Sequence, residues 1–191
     1  SARPSPLPDD LSTLAATAEA RHACEVMRPV FGTTGNCVLA TAALFQALDN
    51  WCRRKSVRCW MVGCVIVPPW WVTLDSGEEV NPGDSDLWQL AGRTADGQRA
   101  YEHRLLKFEG ADGRVVFFDA TASQVGFDSH ACVFDGKLPA QYLNVQIAKS
   151  TTPTDPVVNG LLIGQLHAAP EFHRPRIVEY WKGISALCAN L

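Results

Sequence analysis

The stretch YEHRLLKFEGADGRVVFFDA, residues 101–120, decides the fold. It contains two runs rich in β-branched and aromatic residues, YEHRLLKF (101–108) and RVVFFDA (114–120), with EGADG between them. Two such runs around a short loop with glycines read as a β-hairpin. A five-residue loop centred on Ala111 sets the expected register: Phe108 faces Arg114, Leu106 faces Val116 and His103 faces Asp119. Directly opposed side chains on one face of an antiparallel pair have Cβ atoms about 4.5–5.5 Å apart. A His and an Asp so placed can hydrogen-bond, the carboxylate fixing the imidazole tautomer and favouring its protonated form.

On the N-terminal side, 57–67 is a continuous apolar run, the mark of a strand covered on both faces, and Pro68–Pro69 ends it. Before it, TTGNCVLATAALFQAL (33–48) opens a helix of about 37–51 that is apolar nearly all round and therefore buried on most sides. An earlier helix is expected over 9–28, capped by Asp9 or Asp10 and stopped by Pro29. Residues 70–100 are the least regular part: WWVTL reads as an edge strand, and DSGEEVNPGDSD and GRTADGQ as loop. After the hairpin, HACVF and YLNVQI suggest one or two more strands, and RIVEYWKGISALCANL has helical periodicity in Ile177, Tyr180, Trp181, Ile184 and Leu187. The order predicts one α+β domain over 9–191, with helices first and an antiparallel sheet after, preceded by a linker or trimmed end at 1–8.

Composition narrows the function classes. The 191 residues are 47% hydrophobic and 19% charged with a net charge of −3, which suits a soluble globular domain. The longest basic run is CRRK at 52–55, so no basic stripe points to a nucleic-acid backbone; a solvated helix end accounts for it. No segment reaches the roughly 18 apolar residues of a membrane span, and the opening SARPSPLPDD does not read as a secretory leader. Seven cysteines at 24, 37, 52, 59, 64, 132 and 188 include no C-x-x-C pair. That odd, scattered set fits a reducing compartment such as the cytosol, although three bridges and a free thiol also fit.

One cysteine is out of place as a buried hydrophobe. Cys37 follows Gly35–Asn36 at the entrance of an apolar helix. A thiol there feels the positive end of the helix dipole and ionises more readily, more so beside an imidazolium. A thiolate to attack a carbonyl, an imidazole to move the proton and a carboxylate to orient the ring form a nucleophilic triad, here Cys37, His103 and Asp119. The Cys37 backbone N–H, without a partner in the first helical turn, can donate to the oxyanion. Asp128 and Asp135 are alternative third members that the expected hairpin register does not place opposite His103.

The order of these stretches, GNCVLATAALFQAL, SVRCWMVGCVIV and HRLLKFEGADGRVVFFDAT, resembles the transglutaminase-like and papain-like cysteine superfamily over about 37–125. The last stretch is similar to that family's H-x-W-x-E-V … G-x-W-x-x-x-D-P-T pattern, with His103, Asp119 and Thr121 in place. Arg104–Leu105 stand where an Ala–Trp pair is usual, and Ala120 where the transglutaminase branch has Pro. The resemblance implies a papain-like or transglutaminase-like fold, a buried helix carrying the Cys packed on an antiparallel sheet carrying the His and Asp. It implies acyl transfer from an amide, with no cofactor and no metal. The short Cys-to-His distance and compact size resemble the papain-fold protein glutamine deamidases of bacterial toxins and effectors, which would act on a protein or peptide substrate in a target cell's cytosol.

Other branches share features. Arylamine N-acetyltransferases carry a similar H-x-L-x … V-D-V-G-F pattern, but T-T-G-N-C replaces their R-G-G-x-C. Leader peptidases share the layout too, so peptidase and transglutaminase chemistry stay open, as does a binding module that keeps the fold without catalysis. The Gln that precedes the papain-type Cys is absent, leaving Asn36 or another loop to complete the oxyanion hole. Trp70, Trp71 and Trp88 either wall an acyl-binding groove or anchor the core. His130 and Cys132 with His22 and Cys24 lack metal-ligand spacing, and His167 and His173 suit surface or cap roles.

Overall fold

The computed structural model describes residues 37–68, 72–73, 79–80, 90–149, 164, 167, 171 and 174–189. The expected linker at 1–8, the helix at 9–28 and residues Asn36, Trp70, Trp71 and Trp88 lie outside the described residues, as do His22, Cys24 and His173.

Two helices open the described chain, α1 (Cys37–Ala47) and the short α2 (Asp49–Arg54). α1 is buried on nearly every side, as its all-apolar sequence predicts: Leu39, Ala40, Ala42, Ala43, Leu44 and Phe45 are all in the core. α2 ends in Arg53 and Arg54, with Arg53 paired to Asp49 one turn back at 2.9 Å, so CRRK is a solvated helix end. The strands follow in chain order: β1 (Arg58–Ile66), β2 (Val72–Thr73), β3 (Glu79–Val80), β4 (Leu90–Arg93), β5 (Arg99–Glu109), β6 (Val115–Asp119), β7 (Cys132–Asp135) and β8 (Leu143–Ile147). The helix α3 (Arg174–Ala189) closes the described chain.

The main sheet is antiparallel and open, in the order β7-β6-β5-β1-β8, with β4 paired to the far end of β5. β1 and β5 form its spine, paired from Arg58–Glu109 to Ile66–Tyr101. One sheet face carries Cys59, Met61, Leu106, Phe108, Val116 and Phe118, covered by α1, α2 and by Ile177, Tyr180, Ile184 and Cys188 of α3. The other carries Val62, Cys64, Ile66, Tyr101, Leu105 and Phe117, covered by Val125, Tyr142, Phe127 and Leu138 from the excursion between β6 and β8. Burial on both faces explains why β1 reads as an unbroken apolar run rather than an alternating one. Trp51 meets Phe108 edge to face at 6.5 Å in the helical layer. Thus the α+β class and the antiparallel sheet stand as the sequence predicts.

Within WWVTL, Val72–Thr73 is a strand, as expected; it pairs with Glu79–Val80 in a separate two-stranded sheet. The rest of that region needs correction. Within 70–100, expected to be irregular, Leu90–Arg93 is a strand, and β5 begins at Arg99 rather than at residue 101. A tight turn at 94–98 joins the two, with Gly97 at φ +84° and its N–H bonded to the Thr94 carbonyl at 2.9 Å. LAGR lacks β-branched and aromatic residues, so nothing in its propensity marks it as a strand.

The hairpin register also differs. Observed pairs are Leu106–Phe118, Lys107–Phe117, Phe108–Val116 and Glu109–Val115. The loop is therefore centred on Asp112, with the Gly110 N–H bonded to the Arg114 carbonyl and the Gly113 N–H to the Gly110 carbonyl. Gly113 has φ +81°, the left-handed residue that follows a tight turn in three-residue hairpin loops. The offset from the expected register is two residues. A two-residue shift keeps every side chain on its face, so His103 and Asp119 still share one side of the sheet.

Candidate active site

Asp119 continues the β6 register opposite Leu105, so His103 is its diagonal rather than its direct neighbour. Diagonal positions are about 7–8 Å apart at the backbone, within reach of a long side chain. The imidazole spans the gap: His103 Nε2 and Asp119 Oδ2 are 2.7 Å apart, and both side chains are 0% exposed.

The carboxylate is fully occupied. Oδ1 accepts from the Thr121 N–H at 2.9 Å and from the Thr121 hydroxyl at 3.4 Å. Oδ2 accepts from Tyr142 Oη at 2.7 Å as well as from the imidazole. The turn after β6 supplies the first pair, because an Asp side chain readily bonds the backbone N–H two residues on. Such saturation is what makes a buried carboxylate tolerable.

The charges follow from these contacts. Burial pushes the Asp119 pKa up, but His103, the Tyr142 hydroxyl and the Thr121 N–H together hold it below the usual carboxylate range. Burial likewise opposes protonation of His103. The charge and hydrogen bond of Asp119 overcome it, with smaller help from Cys37, and the imidazole is raised from 6.5 to about 10. At neutral pH the pair is therefore imidazolium and carboxylate.

Cys37 begins α1 and is 3% exposed. A gap in the sheet lets its helix approach the imidazole. β6 runs along β5 to Asp119, opposite Leu105, and β4 pairs only from Tyr101, so among the described residues no strand faces 102–104 on that side. There the Thr41 hydroxyl, one turn beyond Cys37, donates to the Arg104 carbonyl at 3.1 Å. The Cys37 thiol stands close enough to His103 to favour its protonation. His103 Nδ1 nevertheless makes no hydrogen bond of ordinary geometry. Thiol and imidazole are neighbours short of a formed bond. Asp119 holds Nε2, which leaves Nδ1 as the nitrogen able to exchange a proton with sulfur.

The other candidates lie elsewhere. Asp135 forms a two-point ion pair with Arg114, at 2.7 and 3.2 Å, on the exposed end of the hairpin. Asp128 is on the surface. His130 is bonded to Ser123, and the Cys132 thiol to the Ser129 carbonyl at 3.6 Å. Among the described residues no group of three or more His, Cys, Asp and Glu could hold a metal ion. None of the six described cysteines is in a disulfide. Cys59 and Cys64 are buried thiols whose pKa values burial raises, in keeping with a packing role. Among the described residues no helix is long and apolar enough to cross a membrane.

Tyr142 is the site residue that sequence reasoning missed. It precedes β8, which is separated from β6 in the sheet by β5 and β1, so no spacing rule ties it to Asp119. Its ring sits 6.1 Å from His103 and packs with Phe127 and Phe134, forming an aromatic cover over the ion pair. Three aromatics within 127–142 are the only trace of that cover in the sequence.

The site is thus a thiol at a helix entrance beside a buried imidazole–carboxylate pair. Compared with known proteins, the chain matches no family model, no curated protein and no solved structure.

Proposed function

We propose that the protein is a thiol acyl-transfer enzyme acting on an amide through Cys37, His103 and Asp119, and that it hydrolyses a glutamine side chain of a protein substrate. The observation that carries this reading is the fully buried His103–Asp119 pair beside a cysteine that opens a helix. It is the arrangement expected of the transglutaminase-like and papain-like superfamily that the sequence resembles, and a papain-fold deamidase module of a toxin or effector is the branch we favour.

The chemistry follows from the atoms. The Cys37 sulfur attacks the amide carbon, a C–S bond forms, and the oxyanion takes the Cys37 N–H, which has no helical acceptor at the first position of α1. His103 delivers its Nδ1 proton to the leaving nitrogen, the C–N bond breaks and ammonia departs. Neutral His103 then takes a proton from water, whose oxygen attacks the thioester. The C–S bond breaks, restoring the resting pair, and the product acid passes its remaining proton to the released ammonia, leaving a carboxylate. Throughout, Asp119 keeps the ring oriented and offsets its charge. The thiol is nearly enclosed, so substrate reaches it only when the chain around it moves.

Ammonia release from a glutamine-containing protein, with an intact backbone and loss on Cys37→Ala, is the expected result. Cut backbones would replace deamidation with peptidase activity, and incorporation of an added primary amine would replace it with transamidation. Activity unchanged by Cys37→Ala would leave only a binding module.

A further inference from the structure

Arg104 stands where the family resemblance has a small Ala. Its side chain lies on the face of the sheet opposite His103 and spreads across Gly63 of β1. A Cβ built on Gly63 would come within 2.7 Å of Arg104 Nη1 and 3.3 Å of Cζ. The bare backbone at 63 is thus what lets the guanidinium lie flat against the sheet, next to Cys64 and one strand from the gap that α1 enters.

The guanidinium is held loosely. Among the described residues it has one ion pair, to Glu102 at 3.9 Å, and one long bond from Nη1 to the His103 carbonyl at 3.4 Å. Its side chain is 33% exposed. A guanidinium presents five N–H donors in a planar fork suited to a carboxylate, and most of these meet no acceptor among the described residues. Its field also reaches the neighbourhood of the nucleophile: Arg104 acts to lower the pKa of the Cys64 thiol, and Cys64 in turn responds to Cys37 and Asp119.

We infer that Arg104, seated on Gly63, is a specificity residue that binds a carboxylate of the substrate, so that the preferred acyl donor is an acidic segment. This inference rests on the thiol-enzyme reading of Cys37 above. The target amide would then lie within a few residues of an Asp or Glu, whose carboxylate docks on the guanidinium while the amide carbon meets sulfur.

The test needs no identified substrate. Iodoacetate and iodoacetamide alkylate the same thiol, and one carries a carboxylate where the other carries an amide. The ratio of their rates at Cys37, measured by site-resolved mass spectrometry and divided by the same ratio for free glutathione, reports anion preference near the thiol. It should fall roughly three- to tenfold in Arg104→Gln, the scale of one partly screened charge. Arg104→Lys should retain part of it. The difference between wild type and Arg104→Gln should shrink between about 0.1 and about 1 M salt, as the screening length drops from about 10 to about 3 Å. A ratio equal in wild type and Arg104→Gln, with Cys37 still labelled ahead of the other cysteines, overturns the carboxylate site and leaves the nucleophile standing. Cys37 unreactive toward both reagents overturns both.

Discussion

Replacing Asp119 with Asn removes the charge that holds His103 protonated. In the native protein the imidazole is raised from 6.5 to about 10, against the opposing effect of complete burial. At about 1.36 kcal/mol per pH unit, that is roughly 5 kcal/mol of preference for the imidazolium in the folded state. Because the folded value lies above the unfolded one, this stabilisation is complete below about pH 6.5 and is lost as pH rises through about 10. The matching effect on Asp119, whose pKa is lowered, is present above the ordinary carboxylate range and is lost as pH falls through its depressed value. The two describe one coupled pair and are not added. In Asp119→Asn only the smaller help of Cys37 remains against burial, so the His103 titration should fall well below about 10. Side-chain nitrogen NMR between pH 5 and 11 reads this directly, with His103→Gln assigning the signal among the five histidines. Wild-type His103 titrating near 6.5, or at the same pH in both proteins, would show that no buried ion pair exists. Should Asp119→Asn fail to fold, the wild-type titration alone decides.

Other outcomes follow from the same contacts. Tyr142→Phe keeps the ring and deletes one donor to the buried carboxylate, so it should cost about 1.5–3 kcal/mol near neutral pH, or several degrees in Tm by calorimetry. A shift under one degree would mean that the 2.7 Å contact carries no weight. Phe108→Ala empties a fully buried site under Trp51 and should lose about 3–5 kcal/mol in urea unfolding. Asp135→Asn weakens an exposed ion pair and should leave both the unfolding midpoint and Cys37 reactivity essentially unchanged, which separates its role from that of Asp119. Gly63→Ala should be mild in stability, because the atom it displaces is the end of a flexible side chain. It should nonetheless reduce the iodoacetate preference as Arg104→Gln does.

Much of this arrangement is written in local pattern. The β1 run, the two hairpin strands and the apolar α1 carry strong periodicity and propensity signals, and the hairpin places His103 and Asp119 on one face of the sheet, while Cys37 joins them only through the tertiary fold. The hairpin register was readable only to its parity, because EGADG is compatible with more than one turn and the left-handed Gly113 selects the three-residue loop. β4 was missed for lack of any β-forming residue beyond Leu90. Tyr142 was missed for a different reason: its bond to Asp119 is made across the fold, between segments with no fixed spacing. Arg104 was visible as a departure from the family pattern, yet its meaning depends on Gly63 in the adjacent strand, a pairing that only the register discloses.

The most direct test of the nucleophile is the alkylation rate of Cys37 with iodoacetamide at neutral pH, in the native protein and in His103→Gln, resolved by mass spectrometry against Cys52, Cys59, Cys64 and Cys188. An imidazolium beside a thiol at a helix entrance predicts that Cys37 is labelled ahead of the other cysteines and that His103→Gln removes the preference. Cys37 labelled no faster than the others, or equally fast in both proteins, would contradict the triad and the acyl-transfer chemistry built on it.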